Sequence, residues 1–329
     1  MGSNEMAWAV LPVTRGPCWR PSPDRRHVIT AARCSMTGAR STRAKNLRDS
    51  LARPGLRLMP CCFDALSARL IERAGYEFSF LSGFSAAAVN GLPDTGLMSY
   101  EEVRKQLETI TEASTLPIIC DGDTGYGNAI NVKRTVRGFA AAGAAGVMIE
   151  DQVAPKRCGH TRGKAVVDFD EAVTRIEAAV DAREESGSDV VIVARTDAAA
   201  THGFDEAIRR AQKFRELGAD VLFVEAPRTV ETMQRFCDEV EGYKLSNMLE
   251  QGDTPILAPD RLEAMGFKIA AYPLTLLSAS IKAMEEALTR LKRGNPAEVQ
   301  HLLKDFAQVR EIVGFDDYYK EEERYKIDR

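Results

Sequence analysis

The segment LPIICDGDTGYGNAINVKRTVRGFAAAGAAGVMIED, residues 116–151, contains one complete unit of the fold. A short apolar run, Leu116–Cys120, leads through a polar turn into the helix-forming stretch Val132–Ala142, and a second apolar run follows at Gly146–Ile149. Both runs are continuous rather than alternating, which is typical of parallel strands buried on both faces. Gly143 directly follows the helical stretch, as a C-terminal helix cap does. The segment therefore predicts a strand–helix–strand unit with parallel strands.

The same order of apolar run, polar turn and helical stretch recurs along the chain from about residue 56. Strict alternation of strands and helices indicates right-handed crossovers and a parallel sheet. Eight units in about 220 residues match an α/β fold, the closed TIM (β/α)₈ barrel. This fold typically needs about 250 residues. An open doubly wound sheet is the alternative, but it predicts a Gly-rich turn after the first strand, where residues 61–64 are Cys-Cys-Phe-Asp. The predicted strands are Leu58–Cys62, Phe78–Leu81, Leu116–Cys120, Gly146–Ile149, Val190–Ala194, Val221–Val224, Tyr243–Ser246 and Ile269–Tyr272.

Helical stretches separate these strands, and two more follow the last one. Ser280–Lys292 and Pro296–Ile312 predict a C-terminal helical extension that ends in a charged tail. The chain is thus divided into a leader at residues 1–45, a catalytic barrel at 46–295 and the extension at 296–329. The predicted helices between strands are Ala65–Ala74, Glu101–Ala113, Val132–Ala142, Phe169–Glu185, Phe204–Leu217 and Thr229–Val240.

Composition excludes several classes of partner. A formal net charge of −4 gives no broad basic surface, so a nucleic-acid partner is not expected. No apolar run approaches the roughly 20 residues of a membrane span. The 7 cysteines include neither a CxxC pair nor a zinc-type Cys/His cluster, which favours a reducing compartment over a disulfide-stapled fold.

The first 45 residues differ from the rest of the chain. They carry many arginines but only two acidic residues, Glu5 and Asp24, and they show no helix or strand period. Such a composition predicts a transit peptide for the chloroplast or the mitochondrion. The alternatives are a disordered leader or an incorrectly assigned start, and the protein is then expected in the cytoplasm. The arginines are Arg15, Arg20, Arg25, Arg26, Arg33, Arg40 and Arg43.

Polar residues follow six of the predicted strands at the point where each strand ends. Since the active site of a TIM barrel lies at this C-terminal face, such residues are candidates for function. Caps or buried ion pairs explain one or two of them, but not six carboxylates and an arginine on one rim, because unpaired buried charge is costly. The residues are Ser82-Gly83, Asp121-Gly122-Asp123, Glu150-Asp151, Arg195-Thr196-Asp197, Glu225 and Asn247.

Asp121 and Asp123 are the candidate metal ligands, together with Glu150 from the next strand. Residues two apart in an extended segment point to the same side, and carboxylate oxygens suit Mg²⁺. An EF-hand loop is excluded because its fifth and sixth positions would be Gly125 and Tyr126. The spacing of the two aspartates by itself is also typical of a plain Asp-Gly-Asp turn. The carboxylate of Glu150 on the next strand, together with the place of all three at the active-site end of a barrel, favours the metal site.

Cys158 is the candidate catalytic thiol. Lys156, Arg157 and His160 surround it with positive charge, which favours the thiolate, and Gly159 allows close approach of a ligand. A buried apolar role is the usual alternative for a cysteine, and we expect it for Cys61, Cys62, Cys120 and Cys237. Arg195 is placed to grip a carboxylate through two parallel hydrogen bonds, with an ion pair to Glu225 or Asp197 as its alternative role.

Together these residues resemble the isocitrate lyase/phosphoenolpyruvate mutase superfamily over roughly residues 56–290. The Lys-Arg-Cys-Gly-His segment is highly specific, because it resembles the catalytic loop of isocitrate and methylisocitrate lyases, whereas the phosphonate mutases and hydrolases lack this cysteine. Within the superfamily the sequence is most similar to plant proteins of the petal death protein type. The matching segments are Phe80–Gly83, Leu92–Asp94, Asp121–Gly127, Ile149–Gln152, Lys156–His160 and Val193–Asp197.

The resemblance implies a role for each candidate residue. Asp121 and Asp123 hold Mg²⁺, or Mn²⁺ as the alternative ion, and Glu150 supports it through water. Residues 155–163 form a gate that closes over the substrate. Ser82, Gly83 and Phe84 hold one carboxylate of the substrate; Asp94, Gly159, Arg195 and Asn247 are further substrate contacts; and Cys158, Lys156, His160, Arg195 and Glu225 form the catalytic set.

The implied reaction is cleavage of a carbon–carbon bond in a small 2-hydroxy or 2-oxo dicarboxylate of the oxaloacetate, 2-alkylmalate or methylisocitrate type, with Cys158 as proton donor to the carbanion fragment. Phe80 stands where many members have tyrosine, and residues 247–250 are Asn-Met-Leu-Glu where dedicated lyases carry serine or threonine. Since a site with fewer donors holds a tricarboxylate poorly, these departures predict a smaller or more apolar substrate than isocitrate.

Two other functions remain open. Phosphorus–carbon chemistry, as in a phosphonate mutase or hydrolase, is the alternative enzyme activity, and the cysteine loop argues against it. A barrel without catalysis, acting as a binding or structural subunit, disagrees with the complete set of candidate residues. The resemblance also implies a homotetramer in which a C-terminal helix swaps onto a partner barrel, and the periodicity of Leu274–Ala287 fits either swapping or packing on its own barrel.

Overall fold

The computed structural model describes residues 42–159 and 163–327. Eight parallel strands form a closed barrel in which each strand pairs with the next in the chain and the last pairs with the first, which confirms the predicted (β/α)₈ barrel. The strands are β1 (Arg57–Cys62), β2 (Ser79–Leu81), β3 (Ile118–Asp121), β4 (Gly146–Glu150), β5 (Val191–Thr196), β6 (Val221–Val224), β7 (Tyr243–Asn247) and β8 (Ile269–Tyr272).

Helices surround the barrel, and local capping explains where several of them begin. Ser99 and Glu102 form a capping box at the start of α4, and Asn128 caps α5 by accepting from the backbone N–H groups of Ile130 and Asn131. The helices are α1 (residues 42–52), α2 (Ala65–Arg73), α3 (Gly83–Val89), α4 (Tyr100–Ala113), α5 (Ala129–Ala141), α6 (Phe169–Ser186), α7 (Ala198–Thr201), α8 (Phe204–Glu216), α9 (Val230–Glu239), α10 (Pro259–Met265), α11 (Thr275–Lys292), α12 (Phe306–Val313) and α13 (Phe315–Arg324), with a 3₁₀ helix at Pro296–Leu302.

Helix α1 covers the N-terminal ends of the strands. Leu47 and Leu51 are fully buried in the cluster that fills the barrel interior, and Phe78 belongs to the same cluster. Each such side chain contributes about 1.5–3 kcal/mol by its burial. Arg48 adds hydrogen bonds to the Val190 carbonyl and to Asp220. The bottom of the barrel is therefore closed, and the opposite, C-terminal face is left for the site.

The predicted extension differs from the structure. The single stretch expected at Pro296–Ile312 is a 3₁₀ helix followed by a separate α12, because Asp305 caps a new helix by accepting from the Gln308 N–H. Residues 42–45, expected in the leader, already belong to α1. The rest of the predicted leader lies outside the described residues. In the part of the chain that the structure describes, no helix is both long and apolar enough to cross a membrane.

Candidate active site

A cavity of about 640 Å³, measured with its open mouth, lies at the C-terminal ends of the strands. This is the place and the size expected of a substrate site in a TIM barrel. Its lining residues fall into two chemical groups, the charged and polar residues (called the polar or charged side) and the apolar residues (called the apolar side). The lining residues are Met59, Cys61, Phe80, Ser82, Phe84, Asp94, Asp121, Met148, Lys156, Arg157, Cys158, Gly159, Arg195, Phe223, Glu225, Leu245, Asn247, Leu249, Ala271, Pro273 and Leu274.

Three aspartates gather around the ammonium group of Lys156 on the polar side. Lys156 Nζ lies 2.6 Å from Asp94 Oδ1 and 2.9 Å from Asp123 Oδ1. Asp121, at the end of β3, accepts from the backbone N–H groups of Gly83 and Asp123, each at 3.1 Å. The predicted carboxylate pair thus lies at one edge of the cavity, with a lysine as its present counterion.

Burial and charge shift the pKa values in this group in opposite directions. Burial raises the pKa of Asp123 to about 6, although the neighbouring Lys156 ammonium lowers it. For Lys156, burial alone would lower the pKa, but the surrounding carboxylates raise it well above its usual value. Lys156 therefore stays an ammonium ion and serves as a fixed positive charge.

Arg195, at the end of β5, holds a second cluster of carboxylates. Its Nε lies 2.8 Å from Asp197 Oδ2 and 3.3 Å from Glu150 Oε2, and its Nη2 lies 3.2 Å from Glu225 Oε2. The expected ion pairs of Arg195 with Asp197 and Glu225 are therefore both present. Burial raises the pKa of Glu150 well above its usual value, even though Arg195 opposes the shift.

The loop after β4 brings Cys158 and Gly159 into the cavity lining. Gln152 holds the start of the loop, because its side chain donates to the Arg157 carbonyl at 2.9 Å and accepts from the Arg157 N–H at 3.0 Å. Gly159 packs so tightly that an added Cβ would lie 2.6 Å from Arg195 Nη2. His160, predicted as a catalytic residue, lies outside the described residues.

The remaining predicted substrate contacts take different positions. Ser82, Phe84 and Asn247 line the cavity, whereas the N–H of Gly83 is directed at Asp121. In the segment after β7, Leu249 lines the cavity and Met248 is completely buried elsewhere. The sequence predicted apolar side chains at residues 247–250, where dedicated lyases carry serine or threonine. Leu249 is the apolar residue of this segment that lines the cavity.

One charged residue of the site and its apolar lining were not singled out from the sequence. Lys164 forms an ion pair with Asp197 at 2.9 Å, and its ammonium group also donates to the Gly159 carbonyl. The apolar side of the cavity, including Met59, Phe223 and Leu245, was assigned only to barrel packing. Asp197 could be identified from the sequence only because it follows a predicted strand. Lys164 follows no predicted strand, so nothing in the sequence identified it.

The donor groups fit a hard divalent cation. Asp121 and Asp123 offer carboxylate oxygens, and Glu150 Oε1 is buried without a hydrogen-bond partner among the described residues. Within residues 42–159 and 163–327, however, no three His, Cys, Asp or Glu side chains are already arranged as a metal site. Because the Lys156 ammonium contacts Asp123 Oδ1, a cation that binds there requires this contact to break.

Three curated proteins are similar to the chain over most of its length, and the family described as phosphoenolpyruvate phosphomutase matches residues 47–292. 2,3-Dimethylmalate lyase of Eubacterium barkeri is 38% identical and covers 87% of this chain and 99% of its own. The petal death protein of Dianthus caryophyllus is 40% identical, covering 90% and 93%. Carboxyvinyl-carboxyphosphonate phosphorylmutase, chloroplastic, of Arabidopsis thaliana is 40% identical, covering 98% and 94%.

Solved structures agree with these similarities. Oxaloacetate acetylhydrolase in complex with the inhibitor 3,3-difluorooxalacetate has a TM-score of 0.81 at 33% identity, covering 87% of this chain and 97% of its own. Phosphonopyruvate hydrolase in complex with oxalate and Mg²⁺ has a TM-score of 0.78 at 28% identity, covering 86% and 99%. Each of the two structures covers more than four fifths of this chain.

Proposed function

Since the chain belongs to the phosphoenolpyruvate mutase/isocitrate lyase superfamily and is a carbon–carbon lyase, we propose that it cleaves a small 2-hydroxy or 2-oxo dicarboxylate. The preferred substrates are of the oxaloacetate or 2-alkylmalate type, with methylisocitrate as a larger and poorer one. The mixed lining of the cavity carries this proposal: charged groups and Cys158 provide polar atoms, and Phe84, Leu245 and Leu249 provide apolar surface. An alkyl-substituted dicarboxylate presents matching polar and apolar surfaces.

Asp121 and Asp123 are the proposed ligands of Mg²⁺, or of Mn²⁺, and Glu150 is proposed to support the ion through water. The phosphonopyruvate hydrolase structure, with its Mg²⁺ and oxalate, supports the choice of ion. When bound, the ion supplies a Lewis acid that polarises the oxygens of the half that becomes a 2-oxo acid. The donor oxygens of this chain fit that role, and Glu150 Oε1 has no hydrogen bond among the described residues.

The protein side chains orient the substrate and move its protons. Arg195, held by three carboxylates, contacts a substrate carboxylate together with Ser82 and Asn247. A 2-oxo substrate first adds water to its carbonyl, and the hydrate then supplies the hydroxyl. As the carbon–carbon bond breaks, its electron pair stays on the carbon of the departing fragment, the hydroxyl gives its proton to a carboxylate of the cavity lining, and its oxygen forms the new carbonyl bond. Cys158 then transfers its thiol proton to that carbon. The loop that carries Cys158 closes over the cavity and excludes water.

Product analysis by NMR tests this function. The protein with Mg²⁺ is incubated with isocitrate, 2-methylisocitrate, 2-alkylmalates, oxaloacetate and phosphonopyruvate. We expect cleavage of a malate or oxaloacetate that stops with EDTA and falls by about 10²–10⁴-fold in Cys158→Ser. The matched control is Cys237→Ser, which lies away from the cavity lining and should keep full activity. Efficient turnover of isocitrate with little of the smaller acids would contradict the proposed specificity.

Phosphorus–carbon chemistry is the second candidate, and the relative from Arabidopsis thaliana named as a phosphorylmutase favours it. The same panel separates the two candidates, because turnover of phosphonopyruvate alone indicates a mutase or hydrolase. Cys158 in the cavity lining supports the lyase, since proton transfer to a carbanion needs an acid at that place.

A homotetramer with a swapped C-terminal helix is the proposed assembly. Helix α11 supports it by exposing Ile281, Met284, Leu288 and Leu291, whose spacing of three and four residues places them on one face. Light scattering on the purified protein measures the mass directly. A monomer at micromolar concentration would contradict the assembly.

Delivery to an organelle is the proposed localisation, with residues 1–45 as the transit peptide. The arginine-rich, acid-poor composition supports a chloroplast or mitochondrial address, and the chloroplastic relative favours the former. A fluorescent protein fused to residues 1–45 should enter chloroplasts. Fluorescence that stays in the cytoplasm would contradict the proposal.

A further inference from the structure

A buried arginine in the layer of helices around the barrel has no part in the proposed reaction. Arg210 lies on α8, is only 2% exposed, and does not belong to the residues that line the cavity. Its Nη1 lies 3.0 Å from Asp151 Oδ2, and its Nε lies 2.8 Å from Glu206 Oε1 on the same helix. Because a buried guanidinium is costly without partners, these two carboxylates hold Arg210 in one position.

Asp151 connects this arginine to the end of the neighbouring strand β5. Its Oδ2, which contacts Arg210, also accepts from the hydroxyl of Thr196 at 2.6 Å. Its Oδ1 accepts from the N–H of Asp197 at 2.9 Å. Asp151, Thr196 and Asp197 are all buried, so water cannot readily replace these hydrogen bonds. Asp151 therefore fixes the backbone at the point where β5 ends.

Asp197 in turn fixes the guanidinium of Arg195. Arg195 Nε lies 2.8 Å from Asp197 Oδ2 and Nη2 lies 3.1 Å from Oδ1, so two parallel hydrogen bonds set the plane of the guanidinium. Its Cζ also lies over the ring of Phe223, 5.4 Å from the ring centre. An unbroken series of contacts thus leads from Arg210 on the outer helix to Arg195 in the cavity lining.

The charge of Arg210 determines how well Asp151 can make its contacts. Burial and the neighbouring carboxylate of Asp197 raise the pKa of Asp151, whereas its hydrogen bonds and the guanidinium of Arg210 lower it. A carboxylate accepts hydrogen bonds with both oxygens, but a protonated carboxyl has to donate from one of them. Removal of Arg210 therefore favours the protonated form and weakens the hold of Asp151 on the end of β5.

We propose that Arg210 is a positioning residue that orients the Arg195 guanidinium toward the substrate carboxylate by holding Asp151 against the end of β5. Arg195 also lies 3.3 Å from Glu150 and 3.2 Å from Glu225, so it can turn to these carboxylates when its contact with β5 is disturbed. The contact between Arg195 and a substrate rests on the proposed lyase function, whereas the orientation of the guanidinium does not.

A crystal structure of Arg210→Met tests the proposal without a ligand. Methionine keeps an unbranched apolar stem but removes the charge and the donors that hold Asp151. We expect the Arg195 guanidinium to lose at least one of its two hydrogen bonds to Asp197. If Arg210→Met does not fold, as judged by circular dichroism, Arg210→Gln, which also lacks the charge, replaces it in the same measurement.

Arg209→Met is the matched control. Arg209 is the neighbour of Arg210 in α8 and pairs with the same Glu206, at 2.7 Å, but its side chain is 54% exposed. Its removal should leave the orientation of Arg195 unchanged, because an exposed ion pair contributes little and Asp151 keeps its partner. The pair of variants thus separates the contact with Asp151 from the general effect of losing an arginine in this helix.

Oxalate gives a second measurement, because phosphonopyruvate hydrolase has been solved with oxalate and Mg²⁺. In calorimetric titration of the Mg²⁺-loaded protein, Arg210→Met should weaken oxalate binding by about tenfold, as the loss of one charge-assisted hydrogen bond does. Arg210→Lys keeps the charge and should bind oxalate within about threefold of the parent. The affinity for Mg²⁺ alone should stay within about twofold in all variants, because Asp121 and Asp123 lie outside this series of contacts.

An Arg195 guanidinium that keeps both hydrogen bonds to Asp197 in folded Arg210→Met would overturn the proposal, as would an oxalate affinity equal to that of the parent. Equal losses of oxalate and Mg²⁺ affinity would also overturn it, because they indicate a purely structural role. If oxalate does not bind to the parent protein, the proposed substrate contact of Arg195 fails, while the crystal structure still decides the role of Arg210.

Discussion

The charged and the apolar residues that line the active-site cavity are held in place in opposite ways. On one side, Asp121, Lys156 and Arg195 are buried charges, each held by partners of opposite sign or by backbone N–H groups. On the other side, Leu245 and Leu249 present only carbon atoms. Both groups are carried by the barrel strands and by the segments that follow them. A buried charge is stable only with partners, and each partner in turn fixes its position.

This difference indicates that the charged residues carry out the reaction and that the apolar residues determine which substrate is preferred. The charged residues are linked by ion pairs, so a substitution of one of them leaves a buried charge of its partner unpaired. We therefore assign the bond-breaking step to these residues. The apolar side chains carry no charge, so a residue such as Leu249, which lies outside the packed barrel cluster, can change without removing an ion pair. We therefore expect substitutions on the charged side to abolish activity and those on the apolar side to redirect it.

Asp121→Asn should have the largest effect. The amide keeps the size of the side chain but removes the negative charge proposed to hold Mg²⁺, and turnover should fall by about 10³-fold or more. Calorimetric titration should show that Mg²⁺ binding is lost as well. Asp205→Asn, at an exposed aspartate paired with Arg235, is the matched control and should change neither quantity. Normal Mg²⁺ affinity in Asp121→Asn would place the metal elsewhere.

The strands and their polar ends could be predicted from sequence because both are local patterns. Continuous apolar runs located all eight strands to within two residues at each end, and the polar residues that follow six of the runs located the rim. Helix α3 was missed, since Gly83–Val89 contains only small and apolar residues and no distinct polar face. Helix α13 was taken for a charged tail because its side chains are almost all polar and none is buried.

Contacts between distant residues could not be predicted in this way. Lys164 and Asp197 are separated by 33 positions, and their pairing depends on the path of the intervening loop. The contact of Lys156 with Asp94 and Asp123 is of the same kind, since a basic residue beside a cysteine says nothing about which carboxylate it meets. Sequence patterns thus identified the charged groups, and only the structure assigned their partners.

Leu249→Thr should have a smaller effect and of a different kind. A hydroxyl on the apolar side offers a hydrogen bond to a further substrate carboxylate, so kcat/KM for 2-methylisocitrate should rise relative to that for a 2-alkylmalate by about tenfold. Leu66→Thr makes the same replacement at an exposed site on α2 and should leave the ratio unchanged. A uniform loss of activity toward both substrates would mean that the two sides of the cavity are not independent.

Acidification should have the smallest effect, and it acts on the charged side alone. Burial raises the pKa of Asp123 to about 6, so this carboxyl takes up a proton as the pH falls from 7.5 to 5.5. A protonated carboxyl is a poor ligand for a cation, and Mg²⁺ affinity should therefore fall by about fourfold over this range. Calorimetric titration at both pH values measures the change, with circular dichroism to verify that the protein stays folded.

The sign of the accompanying stability change distinguishes this effect from acid denaturation. Between about pH 4 and pH 6 the folded protein holds a proton on Asp123 that the unfolded chain has released, so this group makes the metal-free protein more stable as the pH falls. In Asp123→Asn this contribution should disappear, which the free energy of unfolding of the metal-free protein at about pH 4 and pH 6 measures. If the same stability change persists in that variant, another carboxyl with a raised pKa, with Glu150 as the first candidate, carries the proton.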